Sequence, residues 1–146
     1  MAYKLLNKVL IRIFMIMEVK MEKLKKIQTK FSVRDGGHYT PAVEFNGLVF
    51  ISGQLSINPE DGSLPEGVKN HAKQALKNLD EVLKAADLKK EDIIQCRIYI
   101  PNVEYWPELN EAYAEYFGEH KPARVVVPAR DLYGGSLVEI EAVAAR

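Results

Sequence analysis

Val43-Glu44-Phe45-Asn46-Gly47-Leu48-Val49-Phe50-Ile51 is the stretch on which the fold turns. Two runs rich in strand-forming residues flank Asn46-Gly47, a pair in which both residues tolerate the positive φ of a tight two-residue turn. The stretch therefore predicts an antiparallel hairpin. Downstream, Asn58-Pro59-Glu60-Asp61-Gly62 has the composition of a loop. From about Gly67 to Ala86 the period changes. Val68, Ala72, Ala75, Leu76, Leu79, Val82, Leu83 and Ala86 step by three and four, while Lys69, Lys73, Lys77, Asp80 and Lys84 take the wet side, which predicts a helix. His71, beside Ala72, is expected at the helix surface or boundary. Ile93 to Ile100 predicts a strand closed by Pro101. A second helix is expected from about Trp106 to Phe117, with Trp106, Leu109, Ala112, Tyr113, Tyr116 and Phe117 as its stripe and Pro107 in its first turn. Arg124–Val127 and Leu137–Ala144 predict two closing strands. Upstream of the hairpin lie short apolar stretches, Lys25–Gln28 and Phe31–Val33, and the turn-rich Arg34-Asp35-Gly36-Gly37.

The order hairpin, helix, strand, helix, strand, strand fits an α+β layer: a single sheet with two helices packed on one face. Leu48–Ile51, Val125–Val127 and Leu137–Ala144 are apolar on both sides of their alternation. One helical layer cannot cover both faces, so self-association through the open face is expected.

A chain of 146 residues, 47% hydrophobic and 27% charged, suits one soluble domain. The formal net charge of zero hides an asymmetry. Residues 1–30 carry eight Lys/Arg and two Glu, and the remainder twelve against eighteen, so the body is mildly acidic and ill suited to a phosphate backbone; no nucleic-acid partner is expected. The lone Cys96, in an apolar run, forms no internal disulfide or CxxC pair and points to a reducing, cytoplasmic compartment. It is expected to be buried. Val9 to Met17 is too short to span a bilayer, Arg12 interrupts it, and no cleavage site follows. Residues 1–20 are expected to be an extension outside the fold, with a short membrane-surface segment as the alternative; the domain is placed at 21–146.

Standard site signatures are absent: there is no GxGxxG, Walker loop, GxSxG or HExxH. His38, His71 and His120 have no ligand-like spacing to one another or to Cys96, so no metal site is expected. What stands out is charge on apolar strands. Arg124 opens Arg124-Val125-Val126-Val127, and Glu139 and Glu141 interrupt Leu137-Val138-Glu139-Ile140-Glu141-Ala142-Val143. Such groups must pair, face solvent or line a cleft. By pattern alone a plain Arg–Glu bridge would serve, and Tyr39 could be a packed aromatic.

Four segments, in order, resemble the RidA/YjgF family over roughly residues 24–146. Gly37-His38-Tyr39-Thr40-Pro41-Ala42-Val43 is similar to its GPYSQAV segment, and Phe50-Ile51-Ser52-Gly53-Gln54 to its SGQ strand end. The helix Leu109-Asn110-Glu111-Ala112-Tyr113-Ala114-Glu115-Tyr116-Phe117 is also similar. Pro122-Ala123-Arg124 with Glu139-Ile140-Glu141-Ala142 resembles its PAR and EIEA signature. The resemblance implies a chorismate-mutase-like subunit, a homotrimer with a central barrel, and clefts between subunits. It implies hydrolytic deamination of 2-imino acids such as 2-iminopropanoate and 2-iminobutanoate. Arg124 then corresponds to the substrate-binding arginine and Glu139 to the water-handling glutamate, with Tyr39, Ser52, Gly53 and Asn110 as further pocket residues. Three departures stand out. Val126 occupies a position where the family often has Cys, the loop before Pro122 is short, and Leu132-Tyr133-Gly134-Gly135 replaces a Leu-Pro turn.

The chemistry suits these residues. A 2-imino acid offers a planar carboxylate beside an electrophilic C=N carbon. An arginine fork takes the carboxylate through two charge-assisted hydrogen bonds, and a glutamate orients water. Neither a metal nor a cofactor is needed. Two other readings use the same cleft: a ligand-binding regulatory trimer without turnover, and a ribonuclease or translation inhibitor, against which the acidic body weighs.

Overall fold

The computed structural model describes residues 23–31 and 37–146. The expected N-terminal extension and the Arg34-Asp35-Gly36 turn fall outside them, as does most of the Phe31–Val33 stretch. The elements in chain order are β1 (Lys25–Ile27), β2 (Ala42–Phe45), β3 (Leu48–Leu55), α1 (Val68–Ala85), β4 (Ile93–Ile100), α2 (Trp106–Phe117), β5 (Ala123–Pro128) and β6 (Glu139–Ala145).

The hairpin forms as expected. Phe45 pairs with Leu48, and Asn46 and Gly47 between them have φ of 50° and 75°. This is the mirror-image turn that matches strand twist. The strand order is β1-β2-β3-β6-β4-β5. β6 runs antiparallel to both of its neighbours and joins the hairpin half to the rest. β4 and β5 are parallel, as a strand–helix–strand unit requires, with α2 as the crossover.

Both helices pack on one face. From the sheet come Val49, Ile51, Cys96, Ile98, Ile100, Ile140, Ala142 and Ala144. Against them lie Ala72, Ala75, Leu76, Leu79 and Leu83 of α1 and Leu109, Ala112 and Phe117 of α2. α1 ends in a left-handed residue, Asp87 (φ 57°). The Leu88 N–H reaches the Leu83 carbonyl (2.9 Å) and the Asp87 N–H the Lys84 carbonyl (3.0 Å), satisfying groups that a helix end leaves open. Arg146 ties the sheet margin to that end: Nε donates to Glu44 Oε1 (2.6 Å) and Nη2 to the Ala86 carbonyl (2.7 Å).

Two expectations need correction. His71 is buried rather than at the surface, for it lies three residues after Val68 and four before Ala75, on the apolar stripe itself. Its Nδ1 accepts from the Leu137 N–H (3.2 Å) and lies 2.6 Å from Ser56 Oγ. A backbone N–H can only donate, so the ring proton sits on Nε2. Trp106, placed on the second helix's stripe, is instead 40% exposed, because it opens the helix where the stripe has yet to meet the core. Cys96 is buried as expected, and burial pushes its thiol up to about 11.

The opposite sheet face has no helical cover among the described residues. Phe50, Val125 and Val127 are 49%, 44% and 37% exposed on it, with Arg97, Tyr99, Glu139 and Glu141 interleaved. No helix of the described residues is long and apolar enough to cross a membrane.

Candidate functional site

The site residues expected from sequence fall into two groups. The first is built where β3 departs from regular pairing. Ile51 pairs with Ala142 but Gln54 with Ile140, so β3 carries one extra residue at Ser52-Gly53. A bulge of this kind re-aims side chains. The Ser52 N–H donates to the Pro41 carbonyl (3.0 Å) and Ser52 Oγ to the Thr40 carbonyl (2.7 Å). The Ser52 carbonyl accepts from Gln54 Nε2 (2.8 Å). These bonds clip the segment bearing Tyr39 to the end of β3. Tyr39 and Gly53 then line a cleft of ≈ 560 Å³, together with Leu55, Ile57, Asn58 and Tyr133.

Glu139 closes this group. Its carboxylate lies over the Gly53 backbone, in the space a side chain there would fill: an ideal Cβ on Gly53 would overlap Oε1 and lie 3.0 Å from Cδ. Gly53 is thus required for room, not for an unusual φ. Burial raises the Glu139 carboxyl above its ordinary value, with the nearby Glu141 as the second cause.

The second group surrounds Arg124. β5 sets Arg124 opposite Cys96, a core residue, so its side chain goes to the helix face. There α2 supplies the surroundings. Arg124 Nη1 donates to Asn110 Oδ1 (3.0 Å), and Cζ lies 4.6 Å from the Tyr113 ring centroid and 5.5 Å from that of Trp106. Among the described residues no carboxylate forms an ion pair with it, so the plain Arg–Glu bridge that pattern alone permitted is not formed. A guanidinium has five donors. One is committed to Asn110, and two flat rings hold the plane, leaving a cation oriented but not neutralised. Val126, two residues on, takes the same face and packs against the core.

The two groups do not meet within one chain. Cross-strand partners share a face: Arg124 goes with Cys96 and Ala142 on the helix side, Glu139 with Tyr99 on the open side. Three residues along the strands and two strands across also separate them, roughly 14 Å at Cα by strand geometry. Because β5 is the last strand of the sheet, Arg124 stands at its rim.

Sequence reading missed Trp106 and Tyr113 as the flanks of Arg124. The available signal was their spacing of four and three residues from Asn110, which puts all three side chains near one another on α2. Tyr133 also lines the cleft, on the single turn Tyr133–Gly135 within the segment noted above as replacing a Leu-Pro turn. No group of three or more His, Cys, Asp or Glu side chains among the described residues is arranged to hold a metal ion.

Comparison with known proteins places this architecture. The Endoribonuclease L-PSP family matches residues 30–146. A RutC family protein of Aquifex aeolicus is 45% identical over 125 residues, 84% of this chain and 100% of the relative. The 2-iminobutanoate/2-iminopropanoate deaminase of Mus musculus is 40% identical over 109 residues, 74% of this chain and 81% of that protein. Among solved structures, E. coli TdcF with bound serine superposes with a TM-score of 0.78 at 33% identity, covering 84% of this chain and 98% of the other. With the family match spanning most of its length, and relatives this similar along nearly their whole chains, the protein belongs to the RidA/YjgF family, also described as Endoribonuclease L-PSP.

Proposed function

We propose that this protein is a cytoplasmic 2-imino acid deaminase, acting as a homotrimer whose sites are shared between neighbouring subunits. One observation carries the reading. Arg124, a cation held at the sheet rim with no ion pair among the described residues, lies on the opposite face from Glu139 and the Gly53 backbone that Glu139 covers. Each chain holds half of a site, and the apolar open face is where a second copy would dock to complete it.

In the joined cleft the free edge of Arg124 takes the substrate carboxylate, with Asn110 and the two rings fixing the fork. Glu139 of the neighbouring copy orients a water molecule at the C=N carbon. Its raised proton affinity suits it to accept a proton from that water and return it to nitrogen. Water adds across C=N, the carbon–nitrogen bond of the adduct breaks, and ammonia and a 2-keto acid leave. The mouse relative named 2-iminobutanoate/2-iminopropanoate deaminase supports this substrate class. The acidic balance of residues 31–146 works against a nucleic-acid substrate.

A ligand-binding role without turnover is the second reading, favoured by the serine bound to TdcF. Ammonia release from 2-iminobutanoate generated in place by a dehydratase separates the two. The wild type should exceed spontaneous hydrolysis, and Glu139→Gln should lower turnover by roughly 10²–10⁴-fold. Ligand binding with no ammonia above background from the wild type would establish the second reading instead.

A further inference from the structure

Glu139 shares its face of β6 with a second carboxylate. Glu141 stands two residues on, so both side chains leave the open face, roughly 7 Å apart at Cβ. They turn opposite ways. Glu139 lies toward Gly53 of β3, whereas Glu141 reaches β4. There Arg97 Nη1 donates to Glu141 Oε1 at 3.1 Å and the Tyr99 hydroxyl donates to the same oxygen at 3.2 Å. The register explains the arrangement: Arg97 is directly opposite Glu141, and Tyr99 directly opposite Glu139. Tyr99 thus faces Glu139 across the strands but spends its hydroxyl diagonally on Glu141, leaving the Glu139 carboxylate free of it.

We propose that Glu141, fixed by Arg97 and Tyr99, is a positioning residue that sets the proton affinity of the Glu139 carboxyl. The proposal rests on the reading of Glu139 as the water-handling group. The charged and titratable groups facing Glu139 are few. Within one chain β6 contributes Glu141 and β4 contributes Tyr99 and Arg97; in the proposed assembly Arg124 of the partner subunit is added, and every variant of the test retains it. β3 presents Ser52, Gly53 and Gln54, all uncharged. Glu141 is also the charge that raises the Glu139 carboxyl after burial itself. Removal of Glu141 and removal of Arg97 must then act in opposite directions. Without Glu141, Arg97 is left unneutralised beside the site and Glu139 ionises more readily. Without Arg97, Glu141 keeps its full negative charge and Glu139 holds its proton to higher pH. A unit charge about 7 Å away moves a carboxyl by roughly half a pH unit with the screening of bulk water, and by roughly one and a half at the lower effective dielectric near a protein surface.

The test titrates the glutamate carboxyl carbons of the assembled protein by ¹³C NMR. Glu139→Gln identifies the resonance, and the pH profile of ammonia release is recorded in parallel. Glu141→Gln should move the Glu139 midpoint down by roughly 0.5–1.5 units, and Arg97→Met should move it up by an amount in the same range. Arg97→Lys, which keeps the charge, should restore the wild-type midpoint; Arg97→Gln replaces the Met variant if that one does not fold. Shifts of the same sign, or none in either variant, would overturn the proposal. Opposite shifts in the NMR titration with no imine hydrolysis by the wild type would uphold the coupling of the two carboxyls and remove the proposed reaction.

Discussion

Replacing Gly53 with alanine adds one methyl group in the space that the Glu139 carboxylate now occupies. The new Cβ would overlap Oε1 and lie 3.0 Å from Cδ and 3.3 Å from Cγ. Ordinary contacts between such atoms begin at about 3.5 Å, so the carboxylate must withdraw by about 1 Å or more. All three nearest atoms belong to the end of one flexible side chain and none to the backbone. The fold should therefore absorb the change within about 1 kcal/mol. Catalysis should not, because a 1 Å misplacement of a reacting group costs on the order of 10²-fold. Initial rates of ammonia release from 2-iminobutanoate, beside thermal melts of the same samples, measure both quantities. In a Glu139→Gln background the alanine should cost little more, since the group it displaces has already lost its function. Wild-type turnover in Gly53→Ala would refute the placement of Glu139 at the reacting carbon. A Tm lower by more than about 10 °C would show instead that the glycine serves the fold.

Arg124→Ala should lower kcat/KM by roughly 30- to 4000-fold, the range for losing one partner of a buried charge pair, and Arg124→Lys should recover little of it. Normal deamination by the alanine variant would show that another group binds the carboxylate. Light scattering should report a trimer at micromolar concentration, and a stable monomer would remove the shared site altogether. For His71, burial lowers the folded-state pKa below its unfolded value of 6.5, so the unfolded chain binds the proton more readily. Stability is full above about pH 6.5 and falls as pH drops from there toward the folded pKa, so the melting temperature should be lower at pH 5 than at pH 7.5. His71→Asn should flatten that slope and, by depriving the buried Ser56 hydroxyl of its partner, cost about 1–3 kcal/mol. A variant that keeps the wild-type slope would assign it to other groups.

The sequence made some of this legible through period and turn chemistry. Asn46-Gly47, the stripe from Val68 to Ala86 and the Ile93–Ile100 strand are local signals, and each formed within a residue or so of its expected place. Strand order is a different kind of information. Nothing local states that β6 enters between β3 and β4, or that β5 lies parallel on the far side. The separation of Arg124 from Glu139 depends on that order. Alternation puts Glu139 and Ile140 on opposite faces, but it takes the pairing of Arg124 with Cys96 to say which face the arginine shares. His71 was misread because a polar residue on an apolar stripe looks like a boundary until its partners, Ser56 and Leu137, arrive from elsewhere in the chain. The resemblance named the candidate residues; the register divides them between two faces.

The position of β6 also constrains how the protein can be made. Its neighbours are complete long before it: β3 ends at Leu55, and β6 begins at Glu139. At about 5–20 residues per second a ribosome needs roughly 4–17 s to cover that interval. Throughout it the hairpin unit presents a bare strand edge that is central in the finished sheet, and once β5 is made at Pro128 the β4–β5 pair presents a second. The sheet cannot close, nor either apolar face take its final form, until β6 has left the tunnel. Folding of this domain thus waits on its last strand, with its aggregation-prone surfaces exposed until that central strand arrives.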